Sequence, residues 1–204
     1  MAVNRDDGPV ADHPVAEKVF GILLAAGGGS RFLSSTHKLQ ATLGHRTVFE
    51  HALAAATASD LAGLIVVTGA VHLTLPGPLV SGVIVIHNHR WSEGQASSLQ
   101  AGLREASRWG ACAVVVGLAD QPFVRPTAWT QVAQCPAQIA VATYDGIRGN
   151  PVKLHSSVWP LLSAEGDQGA RSLIALRPDL VAEVACSGSS ADIDTTEDLH
   201  QWNS

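Results

Sequence analysis

The sequence predicts an α/β fold in which helices cover a mostly parallel central sheet. Short, almost uninterrupted apolar runs alternate along the chain with segments whose apolar residues recur at helical spacing. Strands that are apolar throughout and separated by helices are typical of a parallel sheet buried on both faces. With 204 residues, of which 46% are hydrophobic, the chain is long enough for one domain with a sizeable core. We therefore predict a single domain at residues 19–204, preceded by a loose leader at residues 1–18.

The first half of the chain contains four predicted strands and two predicted helices. The apolar run Val19–Leu24 ends abruptly in small residues, which indicates a buried strand. Thr47 and Glu50 have the spacing of a capping box, so a helix is predicted to begin there. The last strand of this half is the most continuously apolar, and we expect it near the centre of the sheet. After the first strand, the predicted elements are a helix at Thr47–Ser59, strands at Leu61–Thr68 and Gly82–His87, a helix at Gln95–Trp109 and a strand at Ala111–Leu118.

The second half is predicted to add strands and short helices. Gly146 and Gly149 lie at turn positions within Tyr144–Leu154, which favours a β-hairpin. A short closing helix is predicted after Thr195 or Thr196, either of which is a suitable N-cap. The other predicted elements are a strand at Gln138–Thr143, a helix at Ser156–Ser163 and a late strand at Asp179–Ala185.

Composition and charge exclude several classes of function. A formal net charge of −5 argues against nonspecific nucleic-acid binding, which needs a basic face. Cys112, Cys135 and Cys186 are too far apart for a zinc site, and their odd number does not suggest a disulfide framework. No apolar run approaches the roughly 20 residues of a membrane span, and the leader lacks a secretory apolar core. The expectation is a cytoplasmic protein without a nucleic-acid or membrane partner.

A glycine-rich loop directly after the first strand is the strongest candidate for a binding site. Gly27, Gly28 and Gly29 allow the backbone to turn its N–H groups inward, and such a row of donors binds phosphates. Arg31 and Lys38 add two cations close by. The pattern lacks both the Gly-Lys-Ser/Thr of a P-loop and the spaced glycines of a dinucleotide fingerprint. From these residues alone, a triphosphate cradle and a flexible turn with two solvated charges both remain open.

Asp120 follows the predicted central strand in the same way as the glycine loop follows the first strand. Because ligands of open α/β sheets bind at the carboxyl ends of the strands, Asp120 and the loop can face each other. An aspartate in such a position is a common magnesium ligand. A turn or a helix cap before Pro122 is the alternative that the residues alone leave open.

Several separate motifs, in matching order, resemble those of the MobA/MocA-like nucleotidyltransferases. They are LLAAGGGSRF with HKL, LADQP, GNPV, GDQGAR and DIDT, and the resemblance covers about residues 19–202. The doublet Ala25-Ala26 is similar to that of the cytidylyltransferase (MocA) branch, whereas the guanylyltransferase (MobA) branch more often has Ala-Gly. The resemblance implies a single-domain Rossmann-like three-layer sandwich of the nucleotide-diphospho-sugar transferase type.

The resemblance also implies a reaction and a set of site residues. The reaction is Mg²⁺-dependent transfer of a nucleoside monophosphate from a nucleoside triphosphate, with CTP favoured, to a phosphorylated acceptor such as molybdopterin. An apo-molybdoenzyme is a further implied partner. The implied catalytic residues are Arg31, Lys38 and Asp120, and the implied metal ligands are Asp120 and Asp194. The implied nucleotide-binding residues are Leu24, Ala25, Ala26, Gly27, Gly28, Gly29, Ser30, Arg31, Lys38, Thr68, Gly69, Asn88, Gly94 and Ser97. The implied acceptor-binding residues are Gly149, Asn150, Pro151, Asp167, Gly169 and Arg171.

Some of these residues have purely structural alternatives. Ser97 is close to a predicted helix start, where an ordinary cap is an equally good interpretation. Trp91 either stacks on a ligand ring or packs a loop, and His37 either contacts phosphate or is solvated. His87 and His89 share one strand face but lack a third ligand nearby, so structural histidines are favoured over a metal site.

Two other functions remain open at this point. The same reaction with a sugar 1-phosphate or another small phosphate as acceptor is the first, since one fold hosts many substrates. The second is a non-catalytic module that binds and delivers a nucleotide or the molybdenum cofactor. Two departures from the family pattern motivate it: Leu33 replaces a usual glycine, and Thr196 replaces a usual proline.

Overall fold

A seven-stranded sheet forms the centre of the part of the chain that the computed structural model describes, which is residues 17–32, 34, 36–77 and 82–203. Its strands follow the order β5-β4-β1-β6-β8-β7-β9, and β2 pairs with β3 in a separate small sheet. The strands are β1 (Val19–Ala25), β2 (Thr42–Leu43), β3 (Arg46–Thr47), β4 (Gly63–Thr68), β5 (Val83–His87), β6 (Ala113–Leu118), β7 (Ile139–Tyr144), β8 (Ile147–His155) and β9 (Val181–Ala185).

The sheet is mostly parallel, as the sequence predicts. β8 runs antiparallel to both β6 and β7, and the other neighbouring strands of the large sheet are parallel. In the register of β4, β1 and β6, Ile22 of β1 lies opposite Ile65 on one side and Val116 on the other. All three side chains are buried. β6 is the fourth strand of seven, so the prediction that the most apolar strand is central is confirmed.

Helices cover both faces of this sheet and bury two apolar clusters. The helices are α1 (Val48–Thr57), α2 (Gln95–Arg108), α3 (Pro126–Gln134), α4 (Arg171–Leu176) and α5 (Thr196–Asn203). On one face, Phe49 of α1 and Trp129 of α3 pack with Ile193. On the other face, Leu99 of α2 and Leu173 of α4 belong to a second cluster. Three layers result, and the predicted α/β sandwich is confirmed.

Local sequence signals set several element boundaries. The capping box of α1 forms: Glu50 N–H donates to Thr47 Oγ1 at 3.2 Å, and Thr47 N–H donates to Glu50 Oε2 at 2.7 Å. The hairpin forms between β7 and β8, where Asp145 and Gly146 both take positive φ angles of 51° and 80°. Such a pair is typical of a two-residue type I′ turn.

Several elements differ from the prediction. The expected helix at 156–163 is a 3₁₀ helix at Ser156–Leu161, which contains Pro160, a residue without an N–H to donate. The late strand begins only at Val181, since Pro178–Leu180 forms a 3₁₀ turn before it. Gly149, predicted at a turn position, lies inside β8, and the turn is formed by Asp145 and Gly146. Helices α3 and α4 and the small sheet of β2 and β3 were not predicted. The proposed leader falls almost entirely on residues 1–16, which lie outside the described part of the chain.

No helix in the described ranges combines the length and apolar character that crossing a membrane requires. The longest, α2, has 14 residues and presents a polar face as well as a buried one.

The close contact between β6 and α3 yields a prediction about stability. A methyl group built on Gly117 would lie 2.4 Å from Cζ2 of the buried Trp129 ring, so the ring must shift to admit it. We expect Gly117→Ala to lower the free energy of unfolding by about 1–3 kcal/mol, the usual cost of overpacking a core. Urea unfolding measures this loss.

Gly77→Ala is the matched control, because a methyl group there meets no atom of the described residues within 4 Å. Equal unfolding free energies for the two variants would contradict the close packing of Trp129 on β6.

Candidate active site

The glycine loop begins where β1 ends, at the carboxyl edge of the sheet. Gly29 has a φ of +61°, the left-handed region that glycine adopts without strain, and its carbonyl accepts a hydrogen bond from Phe32 N–H at 3.0 Å. Gly27 and Gly28 are exposed, whereas Ala26 just before them is buried. The loop is therefore anchored at its base and presents its backbone to solvent.

The two aspartates that the resemblance pairs do come together beneath this loop. Lys38 Nζ donates to Asp120 Oδ2 at 2.5 Å and to Asp194 Oδ1 at 2.7 Å, so one ammonium group bridges residues from distant parts of the chain. The Lys38 side chain is only 11% exposed. Burial lowers the pKa of Lys38, but the attraction of Asp120 and Asp194 outweighs burial and raises the pKa above its ordinary value. Lys38 therefore stays charged at neutral pH.

Backbone hydrogen bonds hold these two aspartates in place. Ile193 N–H donates to the Asp120 carbonyl at 2.9 Å, and the Ile193 side chain is fully buried. The N–H groups of Asp194 and Thr195 donate to Asp198 Oδ2 at 3.0 and 2.8 Å. These bonds lower the pKa of Asp198. The segment before α5 is therefore fixed at both ends, against Asp120 and against α5.

Arg31 completes the charged cluster from the loop side. Its guanidinium lies 2.9 Å from Asp194 Oδ2, and its side chain is 76% exposed. Solvent weakens so exposed an ion pair, so Arg31 can turn towards a ligand at little cost.

A cavity of about 220 Å³ lies between the loop and the aspartates. It opens into a larger one of about 430 Å³, and the two share Leu24, Gly27, Arg31, Lys38, Asp120 and Asp194. Ala25, Gly29 and Ser30 line the smaller cavity, and Ala26 and Gly28 line the larger one. The predicted loop residues therefore surround one continuous space.

Asp120 and Asp194 are the two carboxylates of the site that suit a divalent cation. Asp120 Oδ1 is buried and has no hydrogen-bond partner among the described residues, which is unusual for a carboxylate oxygen. Both residues line the smaller cavity. In the described ranges no group of three or more His, Cys, Asp or Glu side chains is arranged as a complete metal site. Two protein carboxylates fit Mg²⁺, which usually keeps several waters and takes further oxygens from substrate phosphates.

The larger cavity also receives residues from both halves of the domain. Trp91 and Gly94 line it from the segment before α2, Asp167 lines it from the segment before α4, and Arg171 lines it from the first position of α4. Trp91 packs against the glycine loop: a methyl group on Gly28 would lie 3.2 Å from its ring. Trp91 therefore packs a loop, which is one of the two predicted alternatives, and stacking on a ligand ring stays a prediction.

Three predicted nucleotide-binding residues lie behind this cavity and do not line it. Asn88 Nδ2 donates to Ser97 Oγ at 2.9 Å and to Ser98 Oγ at 3.0 Å, and Ser97 Oγ donates to the carbonyls of Arg90 and Gly94. Asn88 and Ser97 thus fix the shape of the loop before α2. Thr68 is buried and donates to the Ile86 carbonyl at 3.2 Å.

Gly69 is needed for close packing. A methyl group at this position would lie 2.6 Å from Trp91 Cβ and 2.8 Å from Ala26 Cβ. Gly69 therefore lets the chain after β4 approach both the glycine loop and Trp91.

The predicted acceptor residues border two adjoining cavities. Gly149 and Asn150 line one of about 310 Å³ beside Val141, and Gly169 lines a smaller one. Arg171 lines both of these and the larger cavity described above. The peptide bond between Asn150 and Pro151 is cis, and Pro151 is buried within β8. The acceptor residues are thus grouped around Arg171, with Pro151 inside the strand.

Two residues of the site were not singled out from the sequence. Gln121 is buried, and its Nε2 donates to Asp192 Oδ1 at 2.5 Å and to the Ser190 carbonyl at 2.9 Å. Its Oε1 accepts from Asn150 Nδ2 at 3.1 Å. Asp192 lines the larger cavity, where burial and then the nearby Asp120 raise its pKa. The signal was present, because both residues lie inside the LADQP and DIDT motifs, but their partners depend on the tertiary fold.

This fold and this site together define a nucleotidyltransferase-type domain. A parallel α/β sheet carries an anion-binding glycine loop at its carboxyl edge, and paired cations and carboxylates lie beneath the loop. Residues 21–184 match the model of the MobA-like NTP transferase domain, and the chain belongs to this family.

Known relatives cover most of the chain. Purine catabolism protein PucB of Bacillus subtilis (strain 168) is 31% identical over 193 residues, which are 88% of this chain and 93% of PucB. Rv0371c from Mycobacterium tuberculosis H37Rv is 26% identical with a TM-score of 0.76, over 92% of this chain and 98% of that one. A second structure of Rv0371c is a complex with manganese, with 24% identity and a TM-score of 0.70 over 91% and 97% of the two chains.

A nucleotidyl transferase from Methanothermobacter thermautotroptrophicus (Mth528) shares the fold. Its TM-score is 0.74 at 21% identity, over 90% of this chain and 95% of that one.

The bridge through Gln121 yields a second prediction. Gln121→Leu keeps a similar volume but leaves Asp192 and Asn150 without their shared partner. Because Asn150 is half-buried and Asp192 is exposed, water can replace part of these bonds, and we expect the free energy of unfolding to fall by about 0.5–1.5 kcal/mol. Urea unfolding again measures the loss.

Gln131→Leu is the matched control, because Gln131 is an exposed residue of α3. If both variants unfold at the same urea concentration, the buried amide does not hold these segments together.

Proposed function

We propose that the protein is a Mg²⁺-dependent nucleotidyltransferase that transfers a nucleoside monophosphate from CTP to a phosphorylated acceptor, molybdopterin being favoured. The single observation that carries this proposal is the charged cluster of Lys38, Asp120 and Asp194 beneath the glycine loop. It supports the roles of Arg31, Lys38 and Asp120 as catalytic residues. The preference for CTP rests on the resemblance of Ala25-Ala26 to the cytidylyltransferase branch.

The charges that line the larger cavity indicate that a divalent cation is needed to bind a triphosphate there. Four carboxyl groups face three cationic side chains there, and a triphosphate would add several negative charges. Asp120 and Asp194 would hold the cation, with the unpaired Asp120 Oδ1 as one ligand atom. The cation would screen phosphate charge and act as a Lewis acid on the phosphate oxygens. The similar protein Rv0371c forms a complex with manganese, which supports the use of a divalent metal. The seven charged residues are Arg31, Lys38, Arg171, Asp120, Asp167, Asp192 and Asp194.

The residues of the chain grip the phosphates and stabilise the leaving group. An oxygen of the acceptor phosphate attacks the α-phosphorus, the bond to the β-phosphate oxygen breaks, and pyrophosphate leaves. The N–H groups of residues 27–30 and the cation of Arg31 can hold the triphosphate and the charge that builds up on pyrophosphate. Lys38 adds a second cation at the floor of the cavity. No covalent enzyme intermediate is needed, because the acceptor supplies the nucleophile.

Some of the remaining residues would contact the nucleotide, and others hold the surrounding loops in position. Trp91 and Gly94 line the space that the nucleoside would occupy, whereas Thr68, Gly69, Asn88 and Ser97 position the loops around it. On the acceptor side, Arg171 lines the larger cavity and both cavities beside Asn150. It therefore suits an acceptor phosphate that lies next to the nucleotide.

One panel of assays identifies both the nucleotide and the acceptor that the protein uses. CTP, GTP, ATP and UTP are each combined with molybdopterin and with sugar 1-phosphates, and pyrophosphate release is measured. A non-catalytic delivery module would bind nucleotide without turnover and form a stable complex with an apo-molybdoenzyme.

Loss of one carboxylate yields the prediction that tests catalysis. Asp120→Asn keeps the shape of the side chain and removes its charge, so both the cation and Lys38 lose a ligand or partner. We expect pyrophosphate release to fall by at least about 100-fold, as for other groups that stabilise charge in a transition state.

Asp60→Asn, at an exposed position, is the control and should keep its full rate. An Asp120→Asn rate within a few-fold of the parent would refute metal-assisted transfer at this site.

Nucleotide binding has its own prediction, which does not require turnover. At a hundredfold excess over Kd, CTP with Mg²⁺ should stabilise the fold by about 2.7 kcal/mol, which raises Tm by about 5–10 °C. Chelation of Mg²⁺ by EDTA, or Lys38→Met, should abolish the shift because the phosphate charge is then uncompensated. The control is Lys18→Met, at an exposed position before β1.

Thermal shifts that are the same with and without Mg²⁺ would exclude the proposed cation. The absence of a shift with all four nucleotides would exclude a nucleotide site altogether.

A further inference from the structure

His37 joins the glycine loop to the segment that carries Lys38. Its Nε2 lies 3.1 Å from the Gly27 carbonyl oxygen, and its Nδ1 accepts a hydrogen bond from Leu39 N–H at 3.3 Å. The second bond makes His37 the N-cap of the 3₁₀ helix Lys38–Gln40. One imidazole ring therefore contacts the phosphate-binding loop and the helix whose first residue is Lys38.

The two contacts define the protonation state of the ring. The Gly27 carbonyl can only accept, so Nε2 must carry a hydrogen, and Leu39 N–H can only donate, so Nδ1 must be bare. Only the neutral Nε2–H tautomer satisfies both partners. A proton on Nδ1 would abolish the cap and place a second positive charge beside Lys38.

The ring of His37 is half-buried and packs closely against the glycine loop. A methyl group on Gly29 would lie 2.9 Å from Nε2, so the loop and the ring are in close contact. Leu39 is buried in the core, which anchors the 3₁₀ helix on its other side. Loop, ring and helix thus form one packed unit, and this unit sets the distance between the loop N–H groups and Lys38.

The surroundings favour the neutral ring. Burial is the main cause that lowers the pKa of His37 below its ordinary value, and the positive charge of Lys38 lowers it further. The carbonyls of Gly27 and Gly28 also face the ring. Hydrogen bonding to them raises the pKa of His37, but by less than burial lowers it. Since the folded-state pKa lies below 6.5, the two contacts are complete above pH 6.5 and are lost as the pH falls through that lower pKa.

We propose that neutral His37 is a positioning residue for phosphate binding, and that its protonation releases the glycine loop from the Lys38 segment and weakens binding of Mg²⁺-nucleoside triphosphate. The inference rests on the proposed nucleotide site and adds a pH dependence to it. His37 itself touches no reacting atom in this scheme. It acts through the loop and through Lys38.

The test compares nucleotide affinity across pH in two variants. His37→Asn keeps a cap for Leu39 N–H, but its shorter and non-titrating side chain lacks the contact with Gly27. The dissociation constant of Mg²⁺-CTP is measured by calorimetry between pH 5 and 8. At pH 8 we expect binding to His37→Asn to be about fivefold weaker than to the parent, the effect of one lost hydrogen bond.

The ratio of the two constants is the decisive quantity. Protonation of the nucleotide affects both proteins equally and cancels, so the fivefold ratio should shrink towards one below pH 6.5. His45→Asn, at an exposed position, should match the parent at every pH. A ratio that is one at pH 8, or that does not change with pH, would overturn the inference.

A second measurement separates this inference from the proposed function. The unfolding free energy of the ligand-free parent should exceed that of His37→Ala above pH 6.5, and the difference should shrink as the pH falls through the lowered pKa of His37. If no nucleotide binds to the parent but this difference appears, the proposed function fails and the link between loop and helix stands. If nucleotide binds but the difference is independent of pH, the inference on His37 fails alone.

Discussion

The ammonium group of Lys38, held between Asp120 and Asp194, is the interaction on which the rest of the site depends. Two carboxylates so close together repel each other, and a buried cation between them offsets that repulsion. The cluster forms only because β1 and β6 are adjacent and parallel, which brings the glycine loop and Asp120 to the same edge of the sheet. The bond from Ile193 N–H to the Asp120 carbonyl then adds the C-terminal segment to this edge. The sheet order is therefore what converts separate motifs into one site.

Some of the site was predictable because its signals are local. A glycine loop after a buried strand, and an aspartate after the next central strand, can be read from residue types and spacing alone. The pairing of Asp120 with Asp194 came from the resemblance, because nothing local indicates that residues 74 positions apart share an ammonium group. The fold was predicted for the same reason: apolar runs and helical spacing are local patterns, and the parallel order follows from their alternation.

The rest could not be predicted, because side-chain partners depend on the tertiary fold. Asn88 and Ser97 were predicted to bind nucleotide, and the structure shows that they bond to each other, that Ser97 donates to the carbonyls of Arg90 and Gly94, and that Asn88 accepts from Arg90 N–H. Gln121 belongs to the LADQP motif, and no separate role was predicted for it. In the structure, its side chain hydrogen-bonds to both Asp192 and Asn150. A buried polar side chain requires hydrogen-bond partners, but the sequence does not identify them, whereas the structure does. Leu33, which departs from the family pattern, lies outside the described residues, so its effect on the loop stays a question for assays.

Transfer between two substrates requires that their binding spaces share a wall, and Arg171 occupies that wall. It borders the larger cavity beneath the glycine loop and both cavities beside Asn150. The segment before Arg171 is bonded to the start of α2: Ala96 N–H donates to the Gly166 carbonyl at 2.9 Å. Gly94, whose φ is +104°, approaches Gly166 so closely that a methyl group would lie 2.6 Å from that carbonyl oxygen. These backbone contacts join the segment that carries Asp167 and Arg171 to the start of α2, and residues of both line the larger cavity. The two sides of that cavity are therefore held together by contacts that do not depend on the identity of the acceptor.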